Sequence, residues 1–334
     1  MYNKNWPELT YELWSDTCRT IQLWTQIIGK VRLKKTPWTN HSWNSTLYVS
    51  ESGLTTSVIH DESFSFSIEL DFIDHVLRIK RSDGRSVTQP LGSGAVSVFY
   101  GNCLSSLMNL GIEASIYPHP NELQEVTSFL DDHSHRPYQA EYAQRFHRVL
   151  LSCDRVFEVF RSRFVGKVSP VHFFWGSFDL AVTRFSGQRA PEHPGGIPNL
   201  PDLITREAYS HEVSSCGFWP GNEMFPHAAF YSYAYPAPVG FNKIGTVSGA
   251  FFDEKMQEFI LPYEVVRLAE NPEELLLNFF QTTYEGAAEL GNWDRELLEE
   301  SSYLTLLQNQ ERNGLHWKMS PRESGNQLPG YLNN

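Results

Sequence analysis

Apolar side chains recur at every third or fourth position in four segments of the chain, the spacing that gathers them on one face of a helix. The clearest segment is 142–164, in which most arginines occupy the opposite face. The first helix is expected to end at Gly29 and the second at Gly111, which suits a left-handed cap. Asn271 and Pro272 are expected to open the last helix, as N-cap and first helical residue. The pattern predicts helices over residues 9–28, 96–110, 142–164 and 272–290.

Between the helices, short segments rich in branched and aromatic residues predict β-strands. In the last of them, Tyr231, Tyr233 and Tyr235 fall on one strand face. The predicted strands cover residues 45–49, 64–72, 76–80, 171–175, 178–185, 208–214 and 228–235. Together with the helices they predict an α+β protein with mixed or mainly antiparallel sheets.

Two passages of the chain look alike and suggest an internal duplication. Ile28-Gly-Lys-Val31 and Val165-Gly-Lys-Val168 each follow an amphipathic helix and precede strands and another helix. We therefore expect one integral domain over 1–297, built from two related α-β-β-β-α halves at about 5–117 and 138–291, and a polar tail over 298–334. Chance similarity between two helix-to-strand turns explains the repeat equally well.

Composition narrows the class of protein. Of the 334 residues 41% are hydrophobic, enough for a large core. A formal net charge of −12 opposes binding to a phosphate backbone, so nucleic acid is not expected as a partner. No apolar run approaches the roughly 20 residues that span a bilayer, and four scattered cysteines without a Cys-x-x-Cys pair fit a reducing compartment. The expected partner is a small molecule, the expected location is the cytoplasm, and the oligomeric state is left open.

Two long segments carry a resemblance to a known family. They are Ser-Pro-Val-His-Phe-Phe-Trp-Gly-Ser-Phe-Asp-Leu-Ala-Val-Thr-Arg-Phe-Ser-Gly over 169–187 and Arg-Glu-Ala-Tyr-Ser-His-Glu-Val-Ser-Ser-Cys-Gly-Phe-Trp-Pro over 206–220. With residues 24–31 and 40–43, they resemble a largely bacterial family of uncharacterised proteins known as a domain of unknown function. The resemblance covers most of residues 5–297 and implies one integral fold. It implies no activity and no catalytic residue.

The same segments concentrate ionisable side chains among glycines, prolines and aromatic rings, where charged groups need a partner or a metal. Glu207 and His211 are adjacent whether their segment is a strand or a helix, and His172 from a neighbouring strand could complete two imidazoles and a carboxylate. That donor set suits Fe(II) or Zn²⁺ with open coordination positions. We therefore predict a metal-dependent enzyme acting on a small molecule, of the hydrolase or mononuclear iron oxygenase type. Asp179 and Glu212 are substitute carboxylates or groups that orient the imidazoles.

Two other interpretations give these residues a function without a metal. In a metal-free enzyme His211 would act as general base and Glu207 or Glu212 would orient it, while Arg184 would stabilise an anionic substrate. A non-catalytic binding module would instead use a tyrosine-rich aromatic pocket together with Arg184.

A last interpretation is purely structural. His172 would pair with Asp179, and Glu207 with Arg184 or Arg206, so that the polar groups hold a buried junction together. His41 could reach the same cleft, although a capped turn is its favoured role.

Overall fold

The first helix continues through Gly29. In a computed structural model, which describes residues 5–124 and 126–299, helix α1 spans Tyr11–Lys35, so the prediction that it ends at Gly29 is wrong. A Cβ atom at position 29 would lie 2.3 Å from the ring of Trp175. The glycine therefore lets a tryptophan ring pack against the helix, and this packing outweighs the low helix propensity of glycine.

Helix α1 leads through the 3-10 helix η1 (Asn40–Ser45) into a first six-stranded sheet. Its strands are β1 (Tyr48–Val49), β2 (Gly53–Thr55), β3 (Ile59–His60), β4 (Ser65–Asp71), β5 (Val76–Arg81) and β6 (Ser86–Pro90). Their order is β1-β2-β4-β5-β6, with β3 paired to β4, and every pair is antiparallel. Phe66, Ile68 and Leu70 alternate into the core, which confirms the predicted strand over 64–72.

Two helices separate this sheet from the second one. Helix α2 (Val96–Asn109) follows β7 (Gly94–Ala95), which pairs with β8 (His135–Arg136). Gly111 follows α2 with a φ of 71°, which confirms the predicted left-handed end of the helix. Helix α3 (Ala140–Ser162) confirms the strongest helical pattern in the sequence.

The second sheet also has six antiparallel strands. They are β9 (His172–Phe174), β10 (Asp179–Arg189), β11 (His211–Trp219), β12 (Ala229–Tyr235), β13 (Phe251–Asp253) and β14 (Glu258–Pro262). Their order is β13-β14-β12-β11-β10-β9. Helix α4 (Asp202–Ala208) lies between β10 and β11. The observed strand β11 therefore begins at His211, three residues later than the predicted start at 208. Asp202 in the first turn of α4 is a helix-start signal that outweighs the strand pattern.

Helices α3 and α6 cover one face of the second sheet. The remaining helices are η2 (Phe241–Lys243), α5 (Tyr263–Arg267), α6 (Pro272–Leu290) and α7 (Arg295–Leu298). Pro272 opens α6 as predicted. Phe280 of α6 packs against Phe157 of α3 and Phe230 of β12, with ring centroids 5.0 and 6.2 Å apart. This face of the sheet is therefore core.

The architecture is α+β with antiparallel sheets, as the sequence predicts, while the internal duplication stays a prediction. The described chain ends at Glu299, within one compact unit. The backbone N–H groups of Val165 and Gly166 donate to the carbonyl of Leu298, at 2.8 and 3.2 Å. Residues 300–334 of the predicted tail lie outside the described residues. Within the part of the chain that the structure describes, no helix combines the length and the apolar character needed to cross a bilayer.

Candidate functional site

The second sheet divides the predicted site residues between its two faces. Strand alternation places His172, Asp179 and His211 on the face turned away from α3 and α6, which we call the outer face. The three tyrosines of β12 lie on this face as predicted. Arg184 and Glu212 fall on the opposite face.

Arg184 is fully buried in the core. Its guanidinium donates a hydrogen bond to the carbonyl of Phe160 and lies 3.5 Å from the centroid of the Phe160 ring and 4.3 Å from that of Tyr284. These contacts join the sheet to α3 and α6, on the face opposite to His211, the predicted general base.

Glu212 lies on the same face as Arg184 and accepts a hydrogen bond from the hydroxyl of Ser186 at 2.8 Å.

Helices η1 and α4 cover part of the outer face and hold each other in place. Within η1, His41 and Ser42 have φ values of 60° and 55°, a left-handed conformation that costs roughly 1–3 kcal/mol for each residue. The backbone N–H of His41 donates to Oε1 of Glu207 at 2.7 Å, and its Nδ1 donates to the carbonyl of Ala208 at 3.0 Å. The end of α4 thus anchors a strained segment that carries site residues.

A surface cavity with a volume of about 310 Å³ opens beside η1. We call it the Trp43 pocket. The side chains that matter for its chemistry are Arg32, Thr36, Trp43, Asn44, Tyr48 and His172. Trp43 and Tyr48 are only partly buried, so the pocket lies at the surface rather than inside the core. It combines aromatic walls with cationic and neutral hydrogen-bond donors.

His172 forms the buried wall of this pocket. Its side chain is 0% exposed, and its ring centroid lies 5.4 Å from that of Trp43, 5.5 Å from Tyr48 and 5.6 Å from Phe174. Neither ring nitrogen has a hydrogen-bond partner among residues 5–124 and 126–299. Burial, and then the positive charges of Arg32 and Arg161, lower the pKa of His172 to about 3. The imidazole is therefore neutral at physiological pH.

Arg32 supplies the positive charge of the Trp43 pocket. It falls one helical turn after the buried Ile28, which turns its side chain towards the core. Its Nη1 donates to the carbonyl of Thr56, its guanidinium lies 5.4 Å from the Tyr48 ring centroid, and burial lowers its pKa. The buried Nε atom has no hydrogen-bond partner in the described chain. The spacing from Ile28 is the signal in the sequence that could have found it.

A second group of ionisable residues, which we call the His41 cluster, comprises His41, Lys167, Glu207 and His211. Since the carbonyl of Ala208 can only accept, the ring hydrogen of His41 is on Nδ1, and Nε2 accepts from Nζ of Lys167 at 2.6 Å. Burial and the charge of Lys167 lower the pKa of His41. His211 lies with its ring centroid 6.0 Å from that of His41.

The structure thus brings Glu207 and His211 together, with His41 and Lys167, and places His172 in the neighbouring pocket. The Trp43 ring contacts both groups, at 5.3 Å from the His41 ring and 5.4 Å from the His172 ring. Over the described ranges, no three His, Cys, Asp or Glu side chains are grouped so that they could hold a metal ion.

Asp179 belongs to a third polar group on the outer face. Its carboxylate accepts hydrogen bonds from the hydroxyls of Ser177 and Tyr231. Burial, and then repulsion from Asp179, raise the pKa values of Glu122 and of Glu258 to about 7. Sequence reasoning missed both glutamates, since neither stands in a motif or near Asp179 in the chain.

The purely structural interpretation proposed partners that differ from those in the structure. Asp179 bonds to Ser177 and Tyr231 and not to His172. Arg206 lies 3.3 Å from Glu192 and 3.8 Å from Asp202, while Arg184 bonds to Phe160.

Comparison with known proteins gives this chain a family and no activity. A search of curated proteins and a search of solved structures each found no significant match. The model of one protein family matches residues 6–300, nearly the whole described chain. The chain belongs to this family, the family of unknown function DUF5996.

Proposed function

We propose that the protein binds a small organic molecule in the Trp43 pocket, with His172 as a polar anchor. The observation that carries the proposal is the state of His172, whose two buried ring nitrogens have no partner within the described residues. Native proteins pair the great majority of their buried polar side-chain atoms, because an unpaired one costs about 1–3 kcal/mol. A ligand that enters from the adjoining cavity would supply the missing partner. Because both nitrogens are closed to solvent, its binding requires the rings of Trp43 or Tyr48 to move aside.

The size and the composition of the pocket support this function. A volume of about 310 Å³ is at the lower end of the range of small-molecule sites, roughly 300–1,000 Å³. Such sites combine apolar and aromatic walls with a few polar groups that orient the ligand. Trp43 and Tyr48 supply the walls, and Asn44, Arg32 and His172 supply the polar groups.

Catalysis and dependence on a divalent metal remain predictions from the sequence. The His41 cluster holds a neutral imidazole next to an ammonium and a carboxylate, groups that could move protons for a ligand bound nearby. The binding proposal requires neither a metal nor a proton transfer.

A thermal-stability screen of small metabolites and divalent metals tests the proposal, because a ligand that binds the native state raises its apparent stability. We expect wild-type protein to be stabilised by at least one organic compound and the His172→Phe variant to show no such response. If the folded variant responds to the same compounds as wild type, the Trp43 pocket is not the binding site. A response confined to metals and lost in His211→Ala would favour the metal-dependent enzyme instead.

A further inference from the structure

Arg32 makes one end of the Trp43 pocket electropositive, and the neutral His172 lines the same cavity. We propose that the ligand carries a carboxylate, held by Arg32 and His172, on a flat apolar body that lies against Trp43 and Tyr48. This inference rests on the proposed binding function and adds the chemical class of the ligand.

The first argument is that Arg32 is a buried cation with no acidic counter-charge among the described residues. Its side chain is 9% exposed, and the group that acts on its charge is Tyr48, with no carboxylate among the described residues in that role. Buried arginines are usually paired with an acid, because removing an uncompensated charge from water is costly. By contrast, the nearby Lys35 pairs with Asp61 at 2.8 Å. An anionic ligand would supply the counter-charge for Arg32, as Asp61 does for Lys35.

The second argument is that two buried donors of residues lining the pocket lack an acceptor among the described residues. The Nε–H of Arg32 has no acceptor in the part of the chain that the structure describes. The neutral His172 ring carries one N–H group, which has no acceptor there either. The charged groups that act on His172 are Arg32 and Arg161, both positive. A carboxylate has two acceptor oxygens and one negative charge, which matches two N–H donors and the single positive charge of Arg32.

The third argument concerns the body of the ligand. The rings of Trp43 and Tyr48 both stand nearly perpendicular to the His172 ring, at 72° and 77°, and both line the cavity. Aromatic walls stack well against flat apolar groups. The predicted ligand class is therefore the small aryl or unsaturated carboxylic acids.

Titration of the full-length protein with matched acids and amides tests this inference. Benzoate, phenylacetate and cinnamate each have a neutral amide of nearly the same shape, so each pair differs mainly in charge. In calorimetry at neutral pH we expect at least one acid to bind about tenfold or more tightly than its amide, since hydrogen bonds to a charged group are the stronger ones. In Arg32→Gln the acid and the amide should bind alike, while Arg155→Gln, which removes an exposed arginine paired with Glu273, should preserve the difference.

The remaining outcomes separate the two proposals. Equal binding of acids and amides to wild type, with binding lost in His172→Phe, would overturn the carboxylate inference and leave the binding function standing. No binding of any acid or amide would overturn the carboxylate inference, and the stability screen would then decide the binding function by itself. If Arg32→Gln does not fold, the acid-to-amide ratio of the wild-type protein decides by itself.

Discussion

At the scale of single residues, His172 is where stability and the proposed function conflict. Replacing it with Phe removes two buried nitrogens that lack partners in the described chain, and the new ring has a similar size. We therefore expect His172→Phe to raise the free energy of unfolding of the ligand-free protein by about 1 kcal/mol or more. Denaturant unfolding measures the change. A loss of stability would mean that His172 has a structural role.

His147 provides the matched control for this prediction. It is equally buried, at 1% exposure, and its Nδ1 also lacks a partner among the described residues, but its Nε2 lies 2.9 Å from the carbonyl of Ser50, to which it can donate. His147→Phe leaves that carbonyl without its partner, so we expect it to lower the free energy of unfolding by about 1 kcal/mol or more. The opposite signs of the two substitutions would separate a ligand anchor from a structural histidine.

Glu258 gives a prediction about pH. Burial, followed by repulsion from Asp179, raises its pKa from 4.5 to about 7 in the folded protein. Between these values the unfolded chain releases the proton while the folded chain retains it, so stability falls as the pH rises from about 4.5 to 7. Glu258→Gln should reduce this fall, as measured by melting temperature across the range. Glu270→Gln, at an exposed site, should leave it unchanged; a reduced fall there as well would contradict the assignment to Glu258.

At the scale of elements, the packing of α1 against the second sheet depends on Gly29. Trp175, whose ring occupies the space of a Cβ at position 29, donates its indole N–H to the carbonyl of Ser45 in η1 at 2.7 Å. Gly29→Ala should therefore displace both Trp175 and η1, and we expect a loss of about 1–3 kcal/mol in the free energy of unfolding. Denaturant unfolding checks this value.

Gly101 in α2 is the control for the glycine effect. A Cβ there would meet no heavy atom within 4 Å among the described residues. Gly101→Ala should stabilise the protein by roughly 0.5–1 kcal/mol, because alanine is the better helix former. If Gly29→Ala stabilises the protein to the same extent, the packing of Trp175 against α1 does not depend on the missing Cβ at position 29.

Elements with a strong local pattern were predictable. Helices α3 and α6 have long periodic stripes and clear ends, and β4 alternates over its whole length. The sequence failed where tertiary contacts decide the outcome, as at Gly29 and at the end of α4. Strands β2 and β13, with three residues each, are too short to show a period.

At the scale of the whole molecule, contacts between distant segments assemble the site. Glu207 of α4 holds the backbone N–H of His41, 166 residues away in the chain, and so fixes the segment that carries Trp43. Glu207→Ala should lower the free energy of unfolding by roughly 1.5–3 kcal/mol, since a hydrogen bond to a charged group is lost. Ligand affinity should fall as well, although Glu207 is not a described wall of the Trp43 pocket.

Glu207→Gln is the control, because its amide oxygen can still accept the His41 hydrogen bond. We expect this variant to retain most of the stability and most of the affinity in the same unfolding and titration experiments. A large loss of affinity in Glu207→Gln without loss of stability would instead show that the negative charge itself matters, as the metal-dependent enzyme requires.

Some residues of the site could be predicted from the sequence, and others could not. The His172 segment and the pair Glu207 and His211 were identified because they concentrate ionisable groups among aromatic residues. Their arrangement around Trp43 depends on how η1 folds over the sheet, through left-handed residues that no periodic pattern predicts. Arg32 and Lys167 reach the site from elements that the sequence analysis did not connect with it.

The most direct test is a crystal structure of the full-length protein with a ligand from the stability screen, recorded with anomalous scattering. The account predicts density for the ligand in the Trp43 pocket, with polar atoms within hydrogen-bond distance of a ring nitrogen of His172. Ligand density elsewhere on the outer face, with the His172 nitrogens still unpaired, would contradict it. An anomalous peak bound by Glu207 and His211 would restore the metal-dependent enzyme as the leading hypothesis.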